Sequence, residues 1–141
     1  MEILIATSEN GGLEFIYCQA KREGWEPGPQ DALIFSCVDP NGFFIGRVNN
    51  KIVCCVSAVR FSDFAFIGYY IVVPEERGKG YGLKLFQHAL SHLSSYNIGL
   101  DAALEQELNY QKSGFKSFHT NMRFKGKVAA FDGFHQLEGG V

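Results

Sequence analysis

Phe66-Ile-Gly-Tyr-Tyr-Ile-Val-Val-Pro-Glu-Glu-Arg-Gly-Lys-Gly-Tyr-Gly-Leu83 is the stretch on which the reading of this chain turns. Phe66 to Val73 is aromatic and β-branched and stops at Pro74, the pattern of a buried strand. Arg77-Gly-Lys-Gly-Tyr-Gly82 is a glycine-rich turn. Beyond it Leu83, Phe86, Leu90 and Leu93 recur at helical spacing, with Leu85 and Ala89 beside them. Strand, glycine loop, helix is a geometry that holds phosphate. Glycines let consecutive N–H groups converge on an anion, and a helix start adds unpaired donors and a partial positive charge. A glycine-rich surface turn with no ligand fits the same letters.

The rest of the chain alternates strands and helices. Ile3–Ala6 reads as a strand, and Thr7 or Ser8 is placed to cap a helix running from Glu9 to Arg22, where Leu13, Ile16, Tyr17 and Ala20 recur at helical spacing. Gly24–Pro29 breaks it, Asp31–Cys37 suits a short second helix, and Asp39–Gly42 is a turn. Phe43–Val48 and Lys51–Arg60 read as a hairpin about Asn49-Asn50, and Phe61–Asp63 turns into the Phe66 strand. After the glycine-loop helix come a short strand, Ile98–Ala102, and a helix, Gln106–Lys112, closed by Ser113-Gly114 as a C-cap. Phe118–Phe124 alternates weakly and reads as a further strand. The expected organisation is one domain over 1–125, with 126–141 as a last strand or a linker tail.

Composition sets the bounds. The 141 residues are 46% hydrophobic and 20% charged, with a net charge of -2, which suits a folded globular domain and gives no electrostatic case for nucleic acid or an anionic membrane. Thirteen phenylalanines favour a sheet-containing core. The four cysteines, Cys18, Cys37, Cys54 and Cys55, match no zinc spacing, and Cys18 and Cys54 sit in apolar surroundings that suggest buried thiols. His88 and His92 are four apart on one helix, but no third ligand is evident, so no metal is expected. With no charged-then-apolar leader and no run long enough to span a bilayer, a cytoplasmic location is the expectation.

Among phosphate motifs, a Walker loop requires Ser or Thr after Gly-Lys, and Gly80 stands there instead. A dinucleotide fingerprint requires Gly-x-Gly-x-x-Gly, and the spacing here is Gly-x-Gly-x-Gly. Arg77-x-x-Gly80-x-Gly82 after a strand resembles the pyrophosphate signature of the GNAT superfamily of acetyl-CoA-dependent N-acetyltransferases. Tyr110-Gln-Lys-Ser-Gly-Phe115 resembles the Tyr-x-Lys-x-Gly-Phe segment that closes the last helix in that superfamily. Gly24-Trp25 to Phe124 also looks like a bacterial acetyltransferase subgroup that often carries a second, C-terminal domain. The resemblance implies an α/β fold with a mixed, mostly antiparallel sheet whose central strands splay, flanked by helices.

It also implies roles. Acetyl-CoA is the implied cosubstrate, its diphosphate held by Arg77, Gly78, Lys79, Gly80, Tyr81, Gly82 and Leu83. Its pantetheine arm would pair with the main chain of Ile71, Val72 and Val73, with an N–H near Val72 aimed at the thioester oxygen. Tyr110 matches the family's general acid; a phenol with pKa near ~10 is protonated at neutral pH and can supply a departing thiolate. An alkylamine acceptor with pKa near ~10.4 costs about 4.6 kcal/mol to deprotonate at pH 7, so a base is wanted. Some family members carry a glutamate on the fourth strand; Phe66 stands at that position here. Asp101, at the end of the fifth strand, is the preferred candidate, ahead of Asp63, Glu105 and Glu107. Trp25 and Phe35 are candidates to line the acceptor pocket. The acceptor is a primary amine of a small molecule or a protein, and a homodimer stays open. A non-catalytic module that binds acetyl-CoA for regulation is the alternative, kept alive by the missing strand-four carboxylate.

Overall fold

The Phe66 stretch forms the fourth strand of a five-stranded sheet in the computed structural model, which describes residues 2–127. In chain order the elements are β1 (Leu4–Thr7), α1 (Asn10–Arg22), α2 (Asp31–Val38), β2 (Phe43–Val48), β3 (Lys51–Arg60), β4 (Phe64–Val72), α3 (Tyr81–His92) and β5 (Asn97–Leu100). The strands lie in the order β1-β2-β3-β4-β5. Neighbours are antiparallel up to β4, and β5 joins it in parallel through the α3 crossover, as the sequence order requires. The fold is α/β with a mostly antiparallel sheet flanked by helices, as expected. Asn49 and Asn50 take φ of 50° and 63°, the left-handed pair that a two-residue hairpin turn needs and that asparagine tolerates.

Helices cover both faces. Ile16 and Ala20 of α1 and Ala32 of α2 pack with Phe43, Ile45, Cys55, Val59 and Ile71. The alternate residue Phe44 points to the other face, where its ring meets His88 and His92 of α3 edge-on at 4.8 and 5.1 Å. Among the described residues no helix is long and apolar enough to cross a membrane.

Four local expectations fail. No side chain caps α1: Glu9 holds the N-cap in extended backbone, Gly12 N–H donates to Glu9 O at 2.7 Å, and the Ser8 hydroxyl donates to Glu9 O instead. The buried stripe along α3 and its C-cap is Tyr81, Gly82, Leu85, Phe86, Ala89 and Leu93, while Leu83 is 56% exposed, because residues two apart on a helix point to nearly opposite sides. Cys18 is exposed on the outer side of α1, whereas Cys54 is buried. Residues 118–124 form no strand; Phe118, Met122 and Phe124 are exposed, and a strand needs a ladder that no described neighbour supplies.

The chain divides into two compact units, residues 1–102 and 103–141. In the second, a 3₁₀ turn at Leu104–Gln106 leads into α4 (Glu107–Gln111). It closes as read: Gly114 N–H donates to Gln111 O and Phe115 N–H to Tyr110 O, the two bonds of a Schellman cap. Of the segment expected to be a last strand or tail, 126–141, all but Gly126 and Lys127 lies outside the described residues.

Candidate functional site

Pro74 ends β4 by removing a donor, a 3₁₀ turn spans Pro74–Glu76, and α3 begins at Tyr81. Gly78 and Gly80 between them sit at φ of 76° and 81°, a region L side chains rarely adopt. Gly80 is the N-cap of α3 and offers no side-chain acceptor to its first turn. Among the described residues none of the N–H groups from Gly78 to Leu83 finds a partner, so a row of donors is left at the helix start. Gly82 serves a different purpose. A Cβ there would lie 2.7 Å from Val72 Cγ2 and 2.8 Å from Tyr70 Oη, so its bareness lets the first turn of α3 sit directly on β4.

An open pocket of about 230 Å³ lies at this junction. Of the expected residues, Val72, Arg77, Gly78, Gly80, Tyr81, Gly82 and Leu83 line it; Ile71, Val73 and Lys79 do not. Two lining residues were missed by sequence reasoning, Tyr70 and Glu76. Tyr70 was legible only as strand; its ring stacks at a tilt on Phe86, 5.1 Å away, which turns it toward α3.

The strands part beside this pocket. The β4–β5 ladder runs from Phe64↔Asn97 to Ile67↔Leu100 and stops, while β4 continues to Val72. On its other edge the β3 register passes from Ser57↔Gly68 to Cys55↔Ile71, so β4 carries one extra residue. Tyr69 takes φ of 47° within this bulge. Val73 N–H donates to Val53 O at 2.9 Å, so Val73, and by alternation Ile71, face β3. Val72 faces the open edge, where its carbonyl accepts Arg77 Nε at 2.9 Å.

Each cation at the loop has a carboxylate. The Arg77 guanidinium also donates to Glu23, Arg22 pairs with Glu75 at 2.8 Å, and Lys79 with Glu76 at 2.8 Å. The hydrogen bond from Arg22 pulls the Glu75 carboxyl down, and that to Glu76 raises the Lys79 ammonium. The end of α1 is thereby tied to the loop by Arg22 and Glu23, a link no local sequence pattern announces.

Asp101 directly follows Leu100, where the two strands separate, and is exposed. Tyr110 belongs to the second unit, on α4; partial burial pushes its phenol up, and its ring stands edge-on to Phe115 at 6.2 Å. Burial also raises the Cys54 thiol to about 11 and the Cys55 thiol further, so both stay protonated core groups and neither is a nucleophile. Among the described residues no three His, Cys, Asp or Glu side chains gather as a metal site. His92 instead sits with Nε2 3.9 Å from Asp39 Oδ2, and burial lowers its pKa. Trp25 and Phe35 remain 42% and 41% exposed.

The fold and loop can be set beside known proteins. Residues 12–115 match the model of the acetyltransferase (GNAT) family. Over 120 residues the chain is 40% identical to holothin acyltransferase of Pseudoalteromonas sp. (strain SANK 73390), which covers 82% of this chain and 41% of that protein. The chain thus spans about two fifths of that curated relative's length. The crystal structure of Ard1 from Thermoplasma volcanium superposes with a TM-score of 0.73 at 20% identity, covering 84% of this chain and 86% of that one. A predicted acetyltransferase from Clostridium acetobutylicum, crystallised with acetyl-CoA, superposes with a TM-score of 0.66 at 17% identity, over 88% and 96% of the two chains. These two share the fold. With the glycine loop at the parting of β4 and β5, and the family model spanning most of the sequence, the chain belongs to the GNAT acetyltransferase family.

Proposed function

We propose that this chain binds acetyl-CoA along β4 and the Gly78–Leu83 loop and transfers the acetyl group to a primary amine of a small molecule or protein, by direct attack in a ternary complex. The observation that carries this reading is the contiguity of two sets of main-chain groups: the donors that open α3 and the β4 edge that β5 abandons after Ile67. Anions bind helix starts through such donors, and an extended amide chain adds to an unpaired strand edge.

The same reading assigns the roles. Amides from Gly78 to Leu83 hold the diphosphate, with Arg77 and Lys79 adding charge once they exchange their carboxylates. The main chain at Ile71–Val73 steers the pantetheine arm; within it Val72 is the residue facing the open edge, and its N–H polarises the thioester carbonyl. One such donor is typically worth about 3 kcal/mol of barrier. The amine lone pair then bonds to the carbonyl carbon and the C–S bond breaks. Asp101 takes the proton from the nitrogen, directly or through water, and Tyr110 gives one to the thiolate. A phenol raised by burial stays protonated throughout the neutral range, which suits an acid.

The test is acetyl-CoA binding by calorimetry joined to thiol release over a panel of amines. Binding with amine-dependent release is expected; an affinity for acetyl-CoA no greater than for ATP or NAD overturns the reading.

A further inference from the structure

The face of β4 turned away from the pocket carries an uncovered aromatic surface. Phe66 pairs with Val59 and Ile71 with Cys55, and both partners belong to the α1–α2 core, so Phe64, Phe66 and Ile71 point to that side. Tyr70 and Val72, against Gly82, point to α3. The bulge at Tyr69 produces this division, since without the extra residue Phe66 and Val72 would share a face. Toward the start of β4 the helices leave the surface open: Phe64 is 43% and Phe66 36% exposed. The Phe64 ring stacks on Phe61 with centroids 4.7 Å apart and planes 9° from parallel. The Phe66 ring lies against β5 at Gly99, where a Cβ would come within 3.3 Å of it. Phe66 also faces Gly99 in the last register step but one before the strands part. The platform therefore abuts the gap into which a thioester held on the other face would point.

We propose that the acceptor is a flat, conjugated, weakly basic amine that lies on Phe64 and Phe66, an inference that rests on the acetyl-transfer reading above. Two features of the platform select such an acceptor. Its partly exposed rings offer aromatic surface beside the parting of the strands, and β4 carries no carboxylate between Phe64 and Val72 to bind or deprotonate an ammonium ion. An alkylamine with pKa near ~10.4 has only about one molecule in 2,500 neutral at pH 7. An amine conjugated to a ring is neutral already, and its nitrogen needs help only after attack, when the N–H proton has become as acidic as a carboxylic acid. An exposed carboxylate at the parting, Asp101, suffices for that step. The balance is then complete: C–N forms, C–S breaks, the proton leaves nitrogen for the carboxylate, and the thiolate takes its proton from the Tyr110 phenol as proposed above.

The experiment compares aniline, benzylamine and cyclohexylamine at saturating acetyl-CoA, which separates conjugation from ring shape. Aniline is expected to exceed both in kcat/KM by at least about tenfold. Phe66→Leu, close in volume, is expected to cut aniline kcat/KM by about fivefold or more while acetyl-CoA Kd holds, and Phe66→Glu to move preference toward benzylamine. Benzylamine or cyclohexylamine matching aniline, or Phe66→Leu leaving aniline turnover unchanged, overturns the proposal. So does acetyl-CoA binding with no aniline turnover, whereas absence of acetyl-CoA binding strikes the underlying reading.

Discussion

Gly80 holds φ of 81° where α3 begins, so any side chain there strains the turn although a Cβ would meet no neighbouring atom. Gly80→Asp adds a negative charge at the same point. Acetyl-CoA affinity is expected to fall by at least about tenfold, or 1.4 kcal/mol, read by calorimetry; unchanged affinity removes the loop from the site. Tyr110 poses a separate question at this scale. Tyr110→Phe keeps the ring that meets Phe115 and deletes only the hydroxyl. Turnover is expected to drop about 10²-fold with acetyl-CoA Kd unaltered, and full activity assigns the proton to another group. Both residues were named from the sequence because each belongs to a short motif whose letters imply the local backbone. Tyr70 and Glu76, which line the pocket, were not, since nothing in a strand or a 3₁₀ turn marks which side chains an adjacent helix will leave uncovered.

At the scale of the element, the decisive contact is the first turn of α3 on the end of β4. A methyl at Gly82 must displace Val72 or the Tyr70 phenol, both under 3 Å away. Gly82→Ala is therefore expected to cost about 1–3 kcal/mol in denaturant unfolding and to weaken acetyl-CoA binding by tilting the donors. Val72→Ala is expected to restore part of both losses, and strictly additive effects in the double variant would show that the two do not touch. The boundaries of β2 and β3 matched the sequence reading, and α2 and β4 shifted by at most two residues at either end. What the strand pattern concealed was the bulge: Phe66 to Val73 reads as uninterrupted hydrophobic strand, yet one residue in it is extra to the ladder. A bulge costs nothing in composition, so it leaves no mark in a run where every residue is apolar.

Across the whole molecule, one buried carboxylate ties the turn after α2 to the end of β3. Asp39, 4% exposed, accepts from Arg60 N, Nε and Nη2 at 3.0, 2.7 and 2.9 Å and from Asn41 N at 3.2 Å. The Arg60 hydrogen bonds hold its carboxyl below the ordinary value of 3.8. A folded pKa depressed in this way gives stability that is present above 3.8 and lost as pH falls through the folded value beneath it. Asp39→Asn is expected to lower stability at pH 7 by about 1–3 kcal/mol, with the gap to the parent closing below about pH 4 in parallel urea titrations. A gap constant down to pH 2 would mean that charge plays no part in the joint. The sequence alone determined the order of strands and helices as far as α4, the hairpin at Asn49-Asn50, the cap at Gly114 and the glycine loop, because each depends on residues within a few positions of one another. Only the tertiary structure decided where β4 and β5 separate, which faces the bulge gives to Tyr70 and Phe66, and that Arg22 at the end of α1 and Glu23 just beyond it reach the loop. Those outcomes depend on partners up to 54 residues apart, such as Glu23 and Arg77, and no local spacing encodes them.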